Sequence, residues 1–94
     1  MVNVIVREKV KDHDMWIKGF NDDAKNRTGS KGGTIYQLDG DPNQHYIVFE
    51  WSDRKSLDAF LKHLESDTMK PVFEKAGVLE HEHHISEKAT KFKQ

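Results

Sequence analysis

The 94-residue sequence contains no cysteine. That excludes disulfides, thiolate nucleophiles and thiolate metal sites, and with them a secreted mini-protein held by bridges. Long apolar runs are missing too. Nothing approaches the roughly 18 to 20 apolar residues of a membrane span, and no basic segment followed by roughly 7 to 15 apolar residues marks an export signal. The expected compartment is the cytoplasm, with no membrane partner. Nor is there an excess of one charge: 15 Lys plus Arg stand against 16 Asp plus Glu, a formal net charge of -1. Affinity for nucleic acid comes largely from neutralised phosphates, so nucleic acid is not the expected partner. Hydrophobic residues are sparse at 35%, with a mean hydropathy of -0.84, low for a domain that must offset about 1 to 2 kcal/mol of backbone entropy per residue. Two Trp, two Tyr and five Phe partly compensate. A domain of this size buries only about 60 to 65% of its unfolded surface, so covering a further apolar face in a second copy adds stability that a monomer lacks.

What is present reads as one domain over residues 1–87 and a polar, basic tail over 88–94 that is apolar only at Phe92. Val2 to Val10 alternates and is rich in β-branched residues, a strand. From Asp12, an N-cap by residue type, the period changes. His13, Trp16, Ile17, Phe20 and Ala24 recur at helical spacing, which predicts a helix to about Arg27. Thr28 to Gly33, with three glycines, ends it. The same run does not read as a phosphate cradle, because no Gly-Lys-Ser/Thr sequence follows and no helix begins where the anion would sit. Thr34 to Leu38 and His45 to Trp51 read as a hairpin joined by the turn residues Asp39 to Asn43. Ser52 or Asp53 then caps a helix with Leu57, Phe60, Leu61 and Leu64 on one stripe. Ser66-Asp67 restarts a short helix carrying Met69, Val72, Phe73 and Ala76, with Gly77 as its C-cap. A last strand runs from Val78 to about Glu87.

The order βαββαβ is the α+β ferredoxin-like arrangement, a four-stranded antiparallel sheet with helices on one face. Both parities of the first and third strands carry apolar residues: Val4 and Val6 against Ile5, and Ile47 and Phe49 against Tyr46 and Val48. A face open to water shows polar alternation instead, so the second face is expected to pack on the sheet of a second copy in a two-fold dimer.

Six short stretches carry a family resemblance: Val4-Ile-Val-Arg-Glu-Lys-Val10, Asp14-Met-Trp16, Gly32-Gly33, Asp41-Pro-Asn43, Phe49-Glu-Trp51 and Phe73-Glu-Lys-Ala-Gly-Val78. Over about residues 2 to 86 the sequence resembles the antibiotic biosynthesis monooxygenase-like group of the dimeric α+β barrel superfamily. The resemblance implies a homodimer with a small-molecule cavity between sheet and helices of each subunit. It does not name a substrate, because the superfamily houses cofactor-free monooxygenases, cyclases, isomerases and haem-degrading enzymes. The haem-degrading members use an Asn on the first strand, a Trp on the second helix and an axial His in the following helical segment. Asn3 matches the first, but Phe60 stands at the Trp position and Ala76-Gly77 at the His position. Haem is therefore not the expected cofactor.

The densest ionisable feature is Glu80-His-Glu-His-His84. On a strand His81 and His83 project to one face, and Glu80, Glu82 and His84 to the other. A His-x-His pair is half of a metal site, with Glu50 the best further ligand by type. The same residues also suit edge decoration or acid/base chemistry. If Asn3, Tyr36, Tyr46, Glu50, His81 and His83 share a face, they form a few oriented polar groups among Ile5, Leu38, Val48 and Ile85. His81 or His83 would then accept a proton, and Tyr36 or Asn3 would hydrogen-bond a developing enolate or peroxide oxygen. Interface hydrogen bonding across a dimer is the equal alternative for these residues. Trp16 and Trp51 read as core, and His13, His45 and His63 as helix-surface, rim or strand-end residues without chemistry. A nucleophile elbow is absent, which argues against a hydrolase. The expected function is a small cofactor-independent monooxygenase, cyclase or isomerase acting on an apolar carbonyl or phenolic compound. The alternative is a non-enzymatic dimeric module that holds a small molecule or metal.

Overall fold

A computed structural model describes residues 2–94. The elements are β1 (Val2–Val10), α1 (His13–Asp22) with a 3-10 turn (Asp23–Asn26), β2 (Ser30–Leu38), β3 (Asp41–Trp51), α2 (Arg54–Leu64), α3 (Met69–Ala76) and β4 (Val78–Ser86). The strands pair antiparallel in the order β2-β3-β1-β4, with β1 paired to both β3 and β4. This is the ferredoxin-like arrangement that the element order predicts. Its shortest extent is 18 Å, room for one layer of helices on one layer of sheet.

Local signals set the element ends. Asp12 is in extended conformation and accepts hydrogen bonds from the backbone N–H groups of Asp14 and Met15, so it caps α1. Asp53 does the same for α2 through Ser56 N–H. Gly77 closes α3 at φ 77°, a left-handed turn that a side chain would strain. Its carbonyl accepts from Lys11 N–H at 2.8 Å, which ties the start of β4 to the end of β1. Asn43 joins a third corner: its Oδ1 accepts from His13 N–H (3.0 Å) and its Nδ2 donates to Lys11 O (3.3 Å). The start of α1 is thereby held above β3.

Apart from the first helix, which ends as an α-helix at Asp22 rather than about Arg27 and passes into the 3-10 turn, two boundaries differ from the sequence reading. β2 begins at Ser30, inside the glycine run, and β3 begins at Asp41, so the hairpin turn is tight. Glycine permits both changes. Gly40 turns the hairpin at φ 81° and Gly32 sits at a register shift at φ 85°. Gly33 lies so close to β3 that an added Cβ would fall 2.5 Å from Phe49 Cβ and clash with Val48 O.

The core lies between the helices and one sheet face. Val4, Trp51 and Leu57 are fully enclosed, and Trp51 packs between Phe49 and Phe60 with ring centroids 5.6 and 4.9 Å away. On the other face Ile5, Tyr36, Tyr46 and Val48 are all more than one-third exposed. Arg7 lies among them, bonded to Glu82 (2.6 Å), Gln44 (3.1 Å) and Glu80 (3.2 Å).

The Gly33 contact yields a direct stability prediction. Because the colliding atoms belong to a paired strand, Gly33→Ala is expected to cost about 1 to 3 kcal/mol, the usual range for overpacking. Urea denaturation of the variant beside Gly32→Ala, whose added Cβ meets nothing within 4 Å, separates the steric effect from backbone strain.

Candidate active site

On its helix-facing parity β1 presents Val2, Val4, Val6, Glu8 and Val10, all buried. One carboxylate therefore stands in a row of aliphatic side chains, only 4% exposed, and a charge in that position must be paired. The register supplies the pairs. Glu8 lies opposite His45 on β3 and opposite His81 on β4, so the three side chains form a row across three strands on one face. His81 Nδ1 donates to Glu8 Oε2 at 2.7 Å, and His45 Nε2 lies 3.4 Å from Glu8 Oε1. His83 follows on the same face of β4, its Nδ1 3.2 Å from His81 Nε2.

Burial pushes the Glu8 pKa upward. The hydrogen bonds from His45 and His81 more than reverse it and hold the carboxyl below its ordinary value. An ionised carboxylate only accepts, so His81 carries its proton on Nδ1 and presents Nε2 as an acceptor. His83 then donates from Nδ1 to His81 Nε2 and keeps its own Nε2 lone pair for other partners. Burial, then the neighbouring His81, lowers the His83 pKa and favours the neutral ring, with the charge of Glu65 opposing. His45 is fully enclosed against Trp16, ring centroids 4.0 Å apart, and its Nδ1 has no partner among the described residues.

Glu8 and His81 open on a cavity between sheet and helices. Its free volume is about 60 Å³, roughly that of two waters. The walls are otherwise mostly apolar, among them Val6, Trp16, Phe20, Phe49, Phe60 and Phe73, with Asp23 and Arg27 at the α1 side. A groove of about 540 Å³ between α1 and α3 shares Gly19, Asp23, Met69, Val72 and Ala76 with it. The wall between them is thin where Gly19 meets Ala76, since a Cβ at Gly19 would lie 3.4 Å from Ala76 Cβ.

The structure brings together two of the four residues proposed from sequence and separates the others. His81 and His83 are on the helix-facing side of the sheet. Asn3 and Tyr36 are on the opposite side with Tyr46 and Glu50, where Asn3 pairs with Glu50 and Tyr36 with Tyr46. The expected single grouping is therefore corrected. Antiparallel register sets odd positions of β1 beside even positions of β4, so His81 aligns with Glu8 and Ser86 with Asn3. Glu50 accordingly cannot join His81 and His83 around a metal. Asn3 and Glu50 instead line a shallow hollow of the open face. His45, assigned no chemistry from sequence, is part of the buried row, and Glu8 was overlooked. Its signal was present: a carboxylate in the parity otherwise filled by Val2, Val4, Val6 and Val10.

No family model matches the sequence, and neither does any curated protein; the similarity is to solved structures. SnoaB from Streptomyces nogalater, described as a cofactor-independent oxygenase, is 17% identical, with a TM-score of 0.69 over 99% of this chain and 97% of that one. The fold is that of the antibiotic biosynthesis monooxygenase-like group. A structure described as an antibiotic biosynthesis monooxygenase matches with a TM-score of 0.64 at 15% identity, covering 96% of this chain and all of the other. A conserved protein from Methanosarcina mazei Go1 matches at 24% identity and a TM-score of 0.63, over 94% of this chain and 92% of that one. The monooxygenase-like fold thus spans nearly the whole chain, β1 and β4 with the buried row included.

The lowered pKa values of Glu8 and His83 give a pH dependence of stability. Both groups hold fewer protons folded than unfolded, so stability is full above their unfolded values and falls with acidification. The loss begins below the ordinary 6.5 of His83 and continues below the ordinary 4.5 of Glu8. Thermal unfolding between pH 8 and pH 3 is expected to show both steps, with His83→Gln removing the upper and Glu8→Gln reducing the lower, to which Asp53 and Glu82, also held below their ordinary values by the hydrogen bonds they accept, contribute as well.

Proposed function

We propose that the chain is a cofactor-independent oxygenase-type enzyme that removes a proton from a small apolar carbonyl or phenolic compound. One observation carries this reading: the hydrogen-bonded row Glu8, His81, His83 meets an apolar cavity. Glu8 fixes the His81 tautomer, and Nε2 of His81 takes the proton when a substrate O–H or acidic C–H displaces His83 from it. His83, half-buried and beyond the cavity wall, returns to His81 in the Nε2–H tautomer once the substrate anion has moved, accepts the proton at Nδ1 and releases its Nε2 proton outward. The apolar walls keep the resulting anion dry and electron-rich.

The substrate anion itself reduces oxygen. The carbanion of an activated methylene combines with O₂ and one proton to give a C–O–OH group. Loss of the second C–H proton then breaks the O–O bond and releases hydroxide, which leaves as water with the returned proton. The sum is CH₂ plus O₂ giving C=O plus H₂O, with no external reductant.

The exposed apolar face belongs to this reading as the contact surface of a homodimer. Ile5, Tyr46 and Val48 lie at its centre, and Arg7 meets its charge needs within the subunit through Glu80 and Glu82. Asn3 and Tyr36 serve that contact rather than the cavity.

Oxygen uptake with a panel of small phenols, hydroquinones and ketones bearing an acidic methylene tests the chemistry. Wild type is expected to exceed the spontaneous rate. Glu8→Gln and His81→Gln should each lower kcat by about 10² to 10⁴-fold, the usual contribution of a positioned base. His83→Gln should lose less and recover in imidazole buffer, which replaces a proton carrier. Full turnover in both Glu8→Gln and His81→Gln would remove the proposal.

A further inference from the structure

Arg27 has no part in the proton row, yet it lines the same cavity from the opposite side. It also lines a neighbouring void of about 130 Å³ beneath β2, and the two voids share Phe20, Arg27, Ile47 and Phe49. The guanidinium is held in place: Nη1 donates to Phe20 O at 2.9 Å, and its central carbon lies 3.9 Å from the centroid of the Phe20 ring. Among the described residues that is its only hydrogen bond, although the group carries five donor hydrogens. No carboxylate oxygen comes within 4.0 Å of it there. Asp23, whose charge favours the cation from a distance, is engaged by Asn26 Nδ2 at 2.6 Å. Capping the last carbonyls of α1 explains one donor. It does not explain a half-buried cation without a salt bridge beside an apolar void.

We propose that Arg27 is an anion anchor, and that the substrate is a flat aromatic acid whose carboxylate pairs with Arg27 while its acidic proton lies at His81. The inference rests on reading the cavity as the substrate site. Guanidinium matches a carboxylate with two parallel hydrogen bonds, and a dry site strengthens them. Position sets the length of the molecule. Arg27 borders voids lined by β2 and β3, and His81 is on β4, which lies two strand spacings from β3 and three from β2, about 10 to 14 Å across the sheet. Two fused rings with an acid at one end and a hydroxyl at the other span that distance. Phe20 is one of the four residues that border both voids, and on this proposal displacement of its ring joins them into a slot for such a molecule.

Calorimetric titration with 6-hydroxy-2-naphthoate and with 2-naphthol, the same rings without the acid, tests the anchor. Wild type is expected to bind the naphthoate about 10- to 100-fold more tightly, the strength of a charge-assisted pair. Arg27→Met should bring the ratio near one while leaving 2-naphthol affinity unchanged. Arg27→Lys, which keeps the charge and loses the fork, should lower the ratio. If Arg27→Met does not fold, the wild-type ratio and the lysine variant decide. Equal affinities or no binding in wild type, or a ratio unchanged by substitution, would overturn the anchor. His81→Gln should retain the preference, so full turnover of His81→Gln and Glu8→Gln with the ratio intact would count against the catalytic reading alone.

Discussion

The buried Glu8 carboxylate is the constraint on which the site depends. A carboxylate enclosed by protein loses hydration worth several kcal/mol, and only donors in fixed positions offset that loss. Antiparallel pairing places them by register alone: His45 from β3 and His81 from β4 stand beside Glu8 on the same face. Once the carboxylate is held ionised, the His81 tautomer follows, and the direction of the His83 hydrogen bond follows from that. Three proton positions are thus set by one acidic side chain in an aliphatic strand.

The same sheet has two faces with different tasks. The helix-facing side combines the core around Trp51 with the proton row, and the cavity lies where the packing of α1 and α3 stops short of β1 and β4. Its volume suits water better than substrate, so the proposed use of this cavity requires two contacts to open. They are the packing of the Phe20 ring, which borders both voids, and the Gly19–Ala76 contact between α1 and α3. A small fold with few apolar residues has little spare burial energy, and a contact of two small side chains is an inexpensive place to open. On the other side, Ile5, Tyr46 and Val48 leave an apolar face that the helices do not cover.

The architecture was largely legible in the sequence because its signals are local. Asp12, Asp53 and Gly77 announce helix ends, and β-branched alternation announces β1. The glycine run misled about β2 because the same residues that permit a loop also permit a strand to approach its neighbour closely, as Gly33 does beneath Phe49. The site was half legible. His81 and His83 share a face by spacing alone, but which face that is depends on register between strands far apart in sequence. Grouping Asn3, Tyr36 and Glu50 with the histidines needed that register, and the observed pairing puts them on the opposite side. Glu8 and His45 lie 37 residues apart, and no local pattern relates them.

Nitrogen-15 chemical shifts of the His81 imidazole at neutral pH, from long-range proton correlation spectra, test the central claim most directly. The account predicts a protonated Nδ1 and an unprotonated, acceptor-type Nε2 for His81, a pattern that Glu8→Gln should shift toward tautomeric averaging. An Nε2–H tautomer in the wild type, or a pattern unchanged by Glu8→Gln, would contradict it.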